Sequence, residues 1–282
     1  QRRGRKSNLS CQTTASGSCK RYGERPKTRD DYQHGSDVSR KVGGCDCNVK
    51  PCFWKYQYDC IYIKVGKLET IKFSSVVPQV FSSIANQLES DIWNTEAVFQ
   101  KGHLYLVEAD SGKGKSTFCS YVVGYRRDYS GHVMFDETDT MSFTVKDWVN
   151  VRQRHISHLF QELRLFPELT ALENVEIKNA ITGFKSREEI IEWFDMLGIG
   201  DKLNAKIGRM SFGQQQRVAM IRALVQPFDF ILVDEPISHL DDTNSDIMAK
   251  IMMTEAKAQG AGVIVTSIGK RMNLNYEKTF KL

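Results

Sequence analysis

Residues 109–117 have the types and the spacing of a phosphate-binding loop. They read Ala-Asp-Ser-Gly-Lys-Gly-Lys-Ser-Thr, which fits the P-loop pattern Gly-x4-Gly-Lys-Ser/Thr except that Ala109 stands at the first glycine. Successive N–H groups of such a loop, with the N-terminus of the next helix, form a site for anions. Lys115 is expected to reach the β- and γ-phosphates of a nucleotide, and the Ser116 hydroxyl to bind Mg²⁺. The predicted nucleotide-binding residues of the loop are Ala109, Asp110, Ser111, Gly112, Lys113, Gly114, Lys115, Ser116 and Thr117.

The flanking segments predict the strand and the helix that position this loop. Residues 103–108 form an apolar run typical of a short buried strand, and residues 116–124 read as the start of a helix. The extra methyl group of Ala109 fits the turn if its φ is negative. This strand–loop–helix order favours a phosphate site over a chance match of Gly, Ser and Lys.

A second segment supplies two carboxylates. Residues 228–236 read Phe-Asp-Phe-Ile-Leu-Val-Asp-Glu-Pro, an apolar run that ends in two acids. A central parallel strand delivers such side chains to its C-terminal edge. Asp234 is expected to hold Mg²⁺ through water, and Glu235 to polarise the attacking water as general base. A plain strand with an acidic turn would explain this segment alone, but the phosphate-binding loop favours the catalytic interpretation.

A third segment resembles the signature motif of the ATP-binding cassette (ABC) ATPases. Residues 210–217 read Met-Ser-Phe-Gly-Gln-Gln-Gln-Arg, beside the family's Leu-Ser-Gly-Gly-Gln. Ser211, Gly213 and Gln214 match this motif, whereas Phe212 replaces a glycine. The segment therefore connects the phosphate-binding loop to one family of ATPases.

Two more segments resemble the Q-loop and the D-loop of the same family. Residues 159–162, Leu-Phe-Gln-Glu, have Gln161 at the Q-loop position, and residues 238–241, Ser-His-Leu-Asp, have Asp241 in the D-loop. The motifs follow the family's order, and the resemblance covers roughly residues 66–282. It implies an α/β P-loop NTPase fold of ABC type, with a mainly parallel core sheet and an inserted helical subdomain at about residues 162–212.

The resemblance also implies an ATPase that works as a head-to-tail dimer and powers a membrane permease. Ser211 and the Gly213 N–H would contact the ATP held by the partner's loop, and Asp241 would cross the dimer interface. Gln161 would sense Mg²⁺ and the attacking water. ATP and Mg²⁺ are the expected cofactors, and the metal ligands implied are Ser116, Gln161 and Asp234. The expected location is the cytoplasmic face of the plasma membrane. Because no stretch approaches about 18 apolar residues, the permease is expected to be a separate chain.

Two departures from the family pattern bear on turnover. After the strand at residues 262–266, Ser267 stands where the family usually has a histidine that contacts the γ-phosphate. A hydroxyl donates one hydrogen bond and carries no charge, so hydrolysis through Glu235 is expected to persist but to be slower. Phe212 must turn away from the partner's nucleotide or stack on a neighbour. An ATP-gated switch with little turnover, acting on a membrane or cell-envelope partner, is therefore kept as an alternative.

The stretch between the Q-loop and the signature resembles one subfamily. Residues 163–175, Leu-Arg-Leu-Phe-Pro-Glu-Leu-Thr-Ala-Leu-Glu-Asn-Val, resemble lipoprotein-release, macrolide-export and cell-division ATPases. Thr170 and Glu173 predict a capping box, and Ser186 is expected to cap an amphipathic helix over residues 187–197. These helices would contact the permease. A soluble ABC ATPase without a permease is the other alternative, and this transporter-like stretch argues against it.

Aromatic and histidine residues near these motifs give weaker signals. Phe81, ahead of Trp93, is the candidate to stack on the nucleotide base, although both residues could be ordinary core aromatics. His155 and His158 are three residues apart and could share a helix face. Since no acid or cysteine stands near them in sequence, they are interpreted as surface or core residues.

The first 60 residues differ from the rest in charge and cysteine content. Residues 1–55 contain 13 Lys and Arg against 5 Asp and Glu, whereas the remainder contains 26 against 29. We predict a basic tail at residues 1–60, disordered or non-native, and a catalytic domain at 61–282. One alternative is a basic arm for nucleic acid or anionic lipid; it lacks interleaved aromatics, so no nucleic acid is expected. The other is a zinc site, whose spacings miss the usual C-x2-C pairs. Its ligands would be Cys45, Cys47, Cys52 and Cys60.

Overall fold

The computed structural model describes residues 66–110, 112–237 and 241–282. The tail with its possible zinc ligands, Ser111 and the first three residues of the D-loop segment lie outside the described residues. Within these ranges the strands are β1 (Thr70–Pro78), β2 (Glu96–Gln100), β3 (Leu104–Glu108), β4 (Tyr129–Phe135), β5 (Thr138–Asp139), β6 (Ile156–Leu159), β7 (Phe230–Asp234), β8 (Gly262–Ser267) and β9 (Lys278–Lys281). The α-helices are α1 (Lys115–Val122), α2 (Val145–Asn150), α3 (Ala171–Asn179), α4 (Arg187–Met196), α5 (Phe212–Leu224) and α6 (Asp242–Gln259).

A parallel sheet forms the centre of the fold, with the spatial order β6-β7-β8-β3-β9. Each neighbouring pair in it is parallel. Every residue of β7 and β8 is buried, as expected for strands covered on both faces, which explains their continuous apolar sequences. The predicted α/β fold with a mainly parallel core sheet is confirmed, and the C-terminal ends of β3, β7 and β8 meet at one edge.

An antiparallel sheet with the order β2-β1-β4-β5 packs against the other side of α1. Aromatic side chains fill the space between this sheet and the helix: the ring of Phe73 lies 5.2 Å from that of Phe118, and Phe99 lies 5.6 Å from Phe118. Such pairs stabilise a contact beyond the apolar area they bury. They hold α1, and therefore the end of the phosphate-binding loop, in a fixed position.

The helices between the Q-loop and the signature form where the sequence predicts them. Thr170 and Glu173 make the predicted capping box of α3, and Ser186 caps α4 in a second box with Glu189. Each box satisfies N–H groups that the first helical turn leaves without partners. Apolar residues of α3 and α4 join the core cluster that includes α5, so this insertion is packed onto the signature helix.

The proposed shared helix face of His155 and His158 is wrong. His155 ends a π-helical turn, Val151–His155, whereas His158 lies in β6. The Nδ1 atom of His155 lies 2.6 Å from Asp229 Oδ2, and Lys101 forms an ion pair with the same carboxylate. Burial raises the pKa of Asp229, but bonds from His155, Lys101 and a backbone N–H outweigh burial and lower it. The acid that holds His155 is distant in sequence, so local inspection misses it.

Candidate functional site

The phosphate-binding loop connects β3 to α1 in a conformation that two glycines permit. Gly112 and Gly114 have φ values of +83° and +98°. A Cβ atom on Gly114 would lie 3.0 Å from Phe81 and 3.1 Å from the indole nitrogen of Trp93, so the loop leaves no room for a side chain there. Ala109 is not among the residues with positive φ, which meets the condition set by its methyl group. Ala109 therefore fits at the position where the pattern has its first glycine.

The loop borders an open cleft of about 460 Å³ at the C-terminal edge of the parallel sheet. The cleft brings together the loop, the Q-loop glutamine, one of the paired acids and Phe81. Its lining residues are Val80, Phe81, Asp110, Gly112, Gly114, Lys115, Ser116, Thr117, Gln161, Glu235 and Ile268. Trp93, in contrast, is 1% exposed and donates its indole N–H to the Lys113 carbonyl, so it is a core residue.

A buried cation lies between the predicted metal ligand Asp234 and the predicted general base Glu235. Lys115 Nζ is 2.9 Å from Asp234 Oδ1 and 2.6 Å from Glu235 Oε1. Burial lowers the pKa of the Lys115 ammonium, but its bonds with Glu235 and Asp234 outweigh burial and raise that pKa. Lys115 therefore stays charged. In this arrangement it neutralises Asp234, the expected Mg²⁺ ligand, and Glu235, the acid expected to activate water.

Glu235 is fixed by its backbone as well as by its partners. Its φ is +47°, which is uncommon for a residue with a side chain and is found at functional sites. Its N–H donates to the Thr266 carbonyl at 3.3 Å. Gln161 Nε2 donates to Glu235 Oε2 at 3.1 Å, and Gln161 Oε1 lies 3.4 Å from Lys115 Nζ. The Q-loop is thereby connected directly to the acid expected to act as base.

The predicted metal ligands offer the donor atoms that Mg²⁺ prefers. Ser116 presents a hydroxyl at the exposed start of α1, and Asp234 and Gln161 present carboxylate and amide oxygens. Mg²⁺ binds hard oxygen donors of this kind and keeps several waters, so the donor set fits this ion. The Thr266 hydroxyl donates to Asp234 and holds its carboxylate at the end of β7.

Ser267 is not brought to the cleft. It is the last residue of β8, it is 2% exposed, and its hydroxyl donates to the Lys270 carbonyl. The next residue, Ile268, lines the cleft instead. The role of Ser267 in catalysis stays a prediction.

The signature residues lie at the start of α5 and do not line the cleft. Ser211 caps this helix: its Oγ accepts from the Gln214 N–H, and the Gln214 side chain accepts from the Ser211 N–H at 3.0 Å. Gly213 is in the first helical turn, and the side chain of Phe212 is partly exposed. These residues thus present a helix N-terminus away from the loop of their own chain.

Asp241 caps the helix that follows the D-loop. Its Oδ1 accepts from the Asn244 N–H at 2.8 Å, and backbone and side-chain bonds from Asn244 lower the pKa of Asp241. The carboxylate is therefore charged at the start of α6, where it stabilises the positive end of the helix dipole. Its predicted contact across a dimer interface stays a prediction.

Sequence reasoning missed a cluster behind Asp234. Cys119 of α1, His158 of β6 and Asp234 bring their potential ligand atoms within 4.8 Å of one another. Burial, followed by the charge of Asp234, raises the pKa of the Cys119 thiol well above its usual range. Burial lowers the pKa of His158 to about 4. No local pattern marks this cluster, because its members come from three elements that only the sheet order brings together.

Comparisons with known proteins agree with this architecture. The family model described as ABC transporter matches residues 94–238. YtrE, an ABC transporter ATP-binding protein of Bacillus subtilis, is 32% identical over 63% of this chain and 79% of its own length. The ATP-binding protein LolD of a lipoprotein-releasing system, from Colwellia psychrerythraea, is 33% identical over 66% of this chain and 74% of its own. This chain therefore belongs to the ABC transporter family.

A solved structure supports the same assignment. The dimeric structure of MJ0796, a bacterial ABC transporter cassette, superposes with a TM-score of 0.59 and 28% identity over 70% of this chain and 87% of that one. The chain is thus an ABC ATP-binding cassette with a P-loop NTPase fold. Along the described ranges, no helix has both the length and the apolar character needed to cross a membrane.

Proposed function

We propose that this chain binds and hydrolyses ATP and that two copies use the reaction to drive a membrane permease. The observation that carries the proposal is the convergence of Lys115, Gln161 and Glu235 on one cleft beside the phosphate-binding loop, with the buried Asp234 paired to Lys115 next to it. These side chains come from the start of α1, the segment after β6 and the end of β7, at the same edge of a parallel sheet, which is where α/β folds bind ligands.

Phosphate binding would use the loop and the ammonium group together. The first N–H groups of α1 have no partners within the helix, and no side chain caps them at Gly114. Free N–H groups of this kind at the positive end of a helix bind anions. Lys115 would then exchange its contacts with Asp234 and Glu235 for contacts with the β- and γ-phosphates. Phe81, which lines the same cleft, would stack on the base.

Hydrolysis would use the two acids in different roles. Glu235 would accept a proton from a water molecule as the water oxygen attacks the γ-phosphorus and the bond to the β–γ bridging oxygen breaks. Gln161, bonded to Glu235, would orient the base and the water. Ser116, Asp234 and Gln161 would hold Mg²⁺, which neutralises charge on the phosphate oxygens.

A second copy of the chain would complete the site. Ser211 and Gly213 lie at the N-terminus of α5, outside the cleft of their own chain, so they can serve a nucleotide only if it belongs to a partner. The dimeric form of the similar cassette MJ0796 supports this arrangement. The names of LolD and YtrE support a membrane partner, and with it a location at the cytoplasmic face of the membrane.

One observation favours a second candidate, an ATP-gated switch with little turnover. The Ser267 hydroxyl donates to the Lys270 carbonyl, and among the described residues after β8 the cleft is lined by the apolar Ile268. In such a switch, ATP would join two copies and a membrane or cell-envelope partner would respond.

Steady-state ATP turnover in the presence of Mg²⁺ tests the proposal. The parent chain is expected to hydrolyse ATP, and both Lys115→Ala and Glu235→Gln are expected to abolish turnover. Turnover that survives Glu235→Gln would contradict the assigned base. ATP binding without turnover in the parent chain would favour the switch, and co-purification with an integral membrane protein would separate both from a soluble ATPase.

A further inference from the structure

A mixed set of metal ligands lies behind the nucleotide cleft. Cys119 stands one turn after Lys115 on α1, His158 lies in β6, and Asp234 ends the neighbouring strand β7. The sulfur of Cys119, a ring nitrogen of His158 and a carboxylate oxygen of Asp234 lie within 4.8 Å of one another. Because α1 covers the face of the sheet on which His158 and Asp234 stand, the three groups converge on one point.

The histidine packs its ring against Phe160, at 4.0 Å between ring centroids, but its nitrogens make no hydrogen bond in the described part of the chain. Both ring nitrogens of His158 are buried. Buried polar atoms of this kind are nearly always satisfied by protein, water or an ion. The ring also lines a second cleft of about 280 Å³, so the histidine side of the cluster lies beside open space.

We infer that Cys119, His158 and Asp234 form a site for a thiophilic divalent cation such as Zn²⁺. Zinc accepts thiolate, imidazole and carboxylate ligands in a tetrahedral arrangement, and a water molecule would be the fourth ligand. Neighbouring ligand atoms around Zn²⁺ are roughly 3.5 Å apart, so side-chain shifts of about 1 Å would close the site. On binding, the Cys119 S–H bond is replaced by a metal–sulfur bond and the proton leaves to water.

The charges around the cluster select the kind of ion. Arg164 and Lys178 line the second cleft beside His158, and Lys115 is paired with Asp234 on the other side. These positive side chains oppose the binding of a metal ion that relies on electrostatic attraction alone. Thiolate and imidazole bind Zn²⁺ far better than Mg²⁺, which prefers oxygen ligands. The site should therefore discriminate against the ion expected in the nucleotide cleft.

Occupancy would interfere with the nucleotide site, and this consequence rests on the proposed function. Asp234 is the acid proposed to hold Mg²⁺ at the γ-phosphate, so a zinc ion that takes its carboxylate removes a ligand of the catalytic metal. The site thereby makes the ATPase sensitive to free zinc. Zn²⁺ and Mg²⁺·ATP would compete for one carboxylate and would not occupy it together.

Cobalt spectroscopy of the metal-free full-length chain tests the site without reference to ATP. Co²⁺ serves as the probe, because a cobalt–thiolate bond gives an intense near-ultraviolet charge-transfer band. The other thiols of the chain are first replaced by serine, which leaves Cys119 as the only thiol. The positions changed are Cys11, Cys19, Cys45, Cys47, Cys52 and Cys60.

In this six-serine chain we expect one Co²⁺ per chain, a thiolate band, and loss of the band when Zn²⁺ is added. Cys119→Ala should abolish the band, and His158→Gln should weaken Co²⁺ binding at least about tenfold, in line with the cost of perturbing metal ligation. The matched control is His132→Gln, which removes an exposed imidazole elsewhere and should leave binding unchanged. If Cys119→Ala fails to fold, as judged by circular dichroism, Cys119→Val takes its place.

Absence of the band at excess Co²⁺ would overturn the proposal, as would a band that survives loss of the Cys119 thiol. A separate arm measures ATP turnover against free Zn²⁺. The six-serine chain should lose activity as Zn²⁺ rises, and Cys119→Ala should need at least about tenfold more Zn²⁺ for the same loss. If the six-serine chain shows no turnover without zinc, the proposed function fails while the spectroscopic arm still decides the metal site.

Discussion

The two glycines of the phosphate-binding loop give a matched test of its geometry. Gly112 and Gly114 both have positive φ, but a Cβ atom on Gly112 would meet nothing within 4 Å, whereas one on Gly114 would lie 3.0 Å from Phe81 and 3.1 Å from Trp93. An alanine in left-handed backbone costs about 1–2 kcal/mol at either position. At Gly114 the added methyl also overpacks the site, which typically costs about 1–3 kcal/mol more.

Trp93 explains why the second cost is not relieved by a small movement. Its ring is buried and its N–H donates to the Lys113 carbonyl, so it cannot yield as the half-buried Phe81 can. We therefore expect Gly114→Ala to lower the free energy of unfolding by about 2–5 kcal/mol and Gly112→Ala by about 1–2 kcal/mol. Urea unfolding without nucleotide measures both values. Equal losses in the two variants would refute the packing argument.

Three further predictions concern charge and stacking. Asp229→Asn should lower the free energy of unfolding by about 3 kcal/mol at neutral pH, because, among the described residues, the buried Lys101 keeps only the exposed Glu69, 3.8 Å away, as an acidic partner. Because folding lowers the pKa of Asp229, its ionised carboxylate stabilises the folded parent chain above pH 3.8, and this stabilisation is lost as the pH falls through the lower pKa of the folded state. Measurements of the free energy of unfolding at decreasing pH should show this loss in the parent chain and not in the variant. Lys115→Met should also cost about 3 kcal/mol in urea unfolding, since its two carboxylate partners would lose their cation, and an unchanged stability would contradict the buried ion pairs. Phe81→Ala should weaken ATP binding by about 1–3 kcal/mol in calorimetry if the ring stacks on the base, and unchanged affinity would remove Phe81 from the site.

The parts of the site written in contiguous sequence could be predicted. The loop at residues 109–117 and the acids at the end of β7 depend on local backbone and on where a buried strand ends, so residue type and spacing suffice to predict them. The capping boxes of α3 and α4 are equally local, since four consecutive residues make each one. The parallel sheet follows from apolar runs that leave no polar face.

The rest depends on contacts between distant segments. The bond of His155 to Asp229 and the meeting of His158 with Cys119 require the strand order β6-β7-β8-β3, which no single segment contains. The choice between Phe81 and Trp93 depends on burial, which sequence does not reveal. Ser267 occupies the expected position in the chain, yet its hydroxyl is engaged with the backbone three residues later. The sequence predicted that Ser267 lies at the end of this strand, but it did not predict the direction of the side chain.

Calorimetric titration of the chain with ATP and Mg²⁺ measures whether the cleft binds the nucleotide at all. We expect saturable binding of one ATP per chain and its loss in Lys115→Ala, because the Lys115 ammonium group lies between the loop and the paired acids. The thermal stability of the Lys115→Ala chain, measured beside it, verifies that the variant is folded. No ATP binding by the parent chain, or equal binding by a folded Lys115→Ala chain, would show that this cleft is not the nucleotide site.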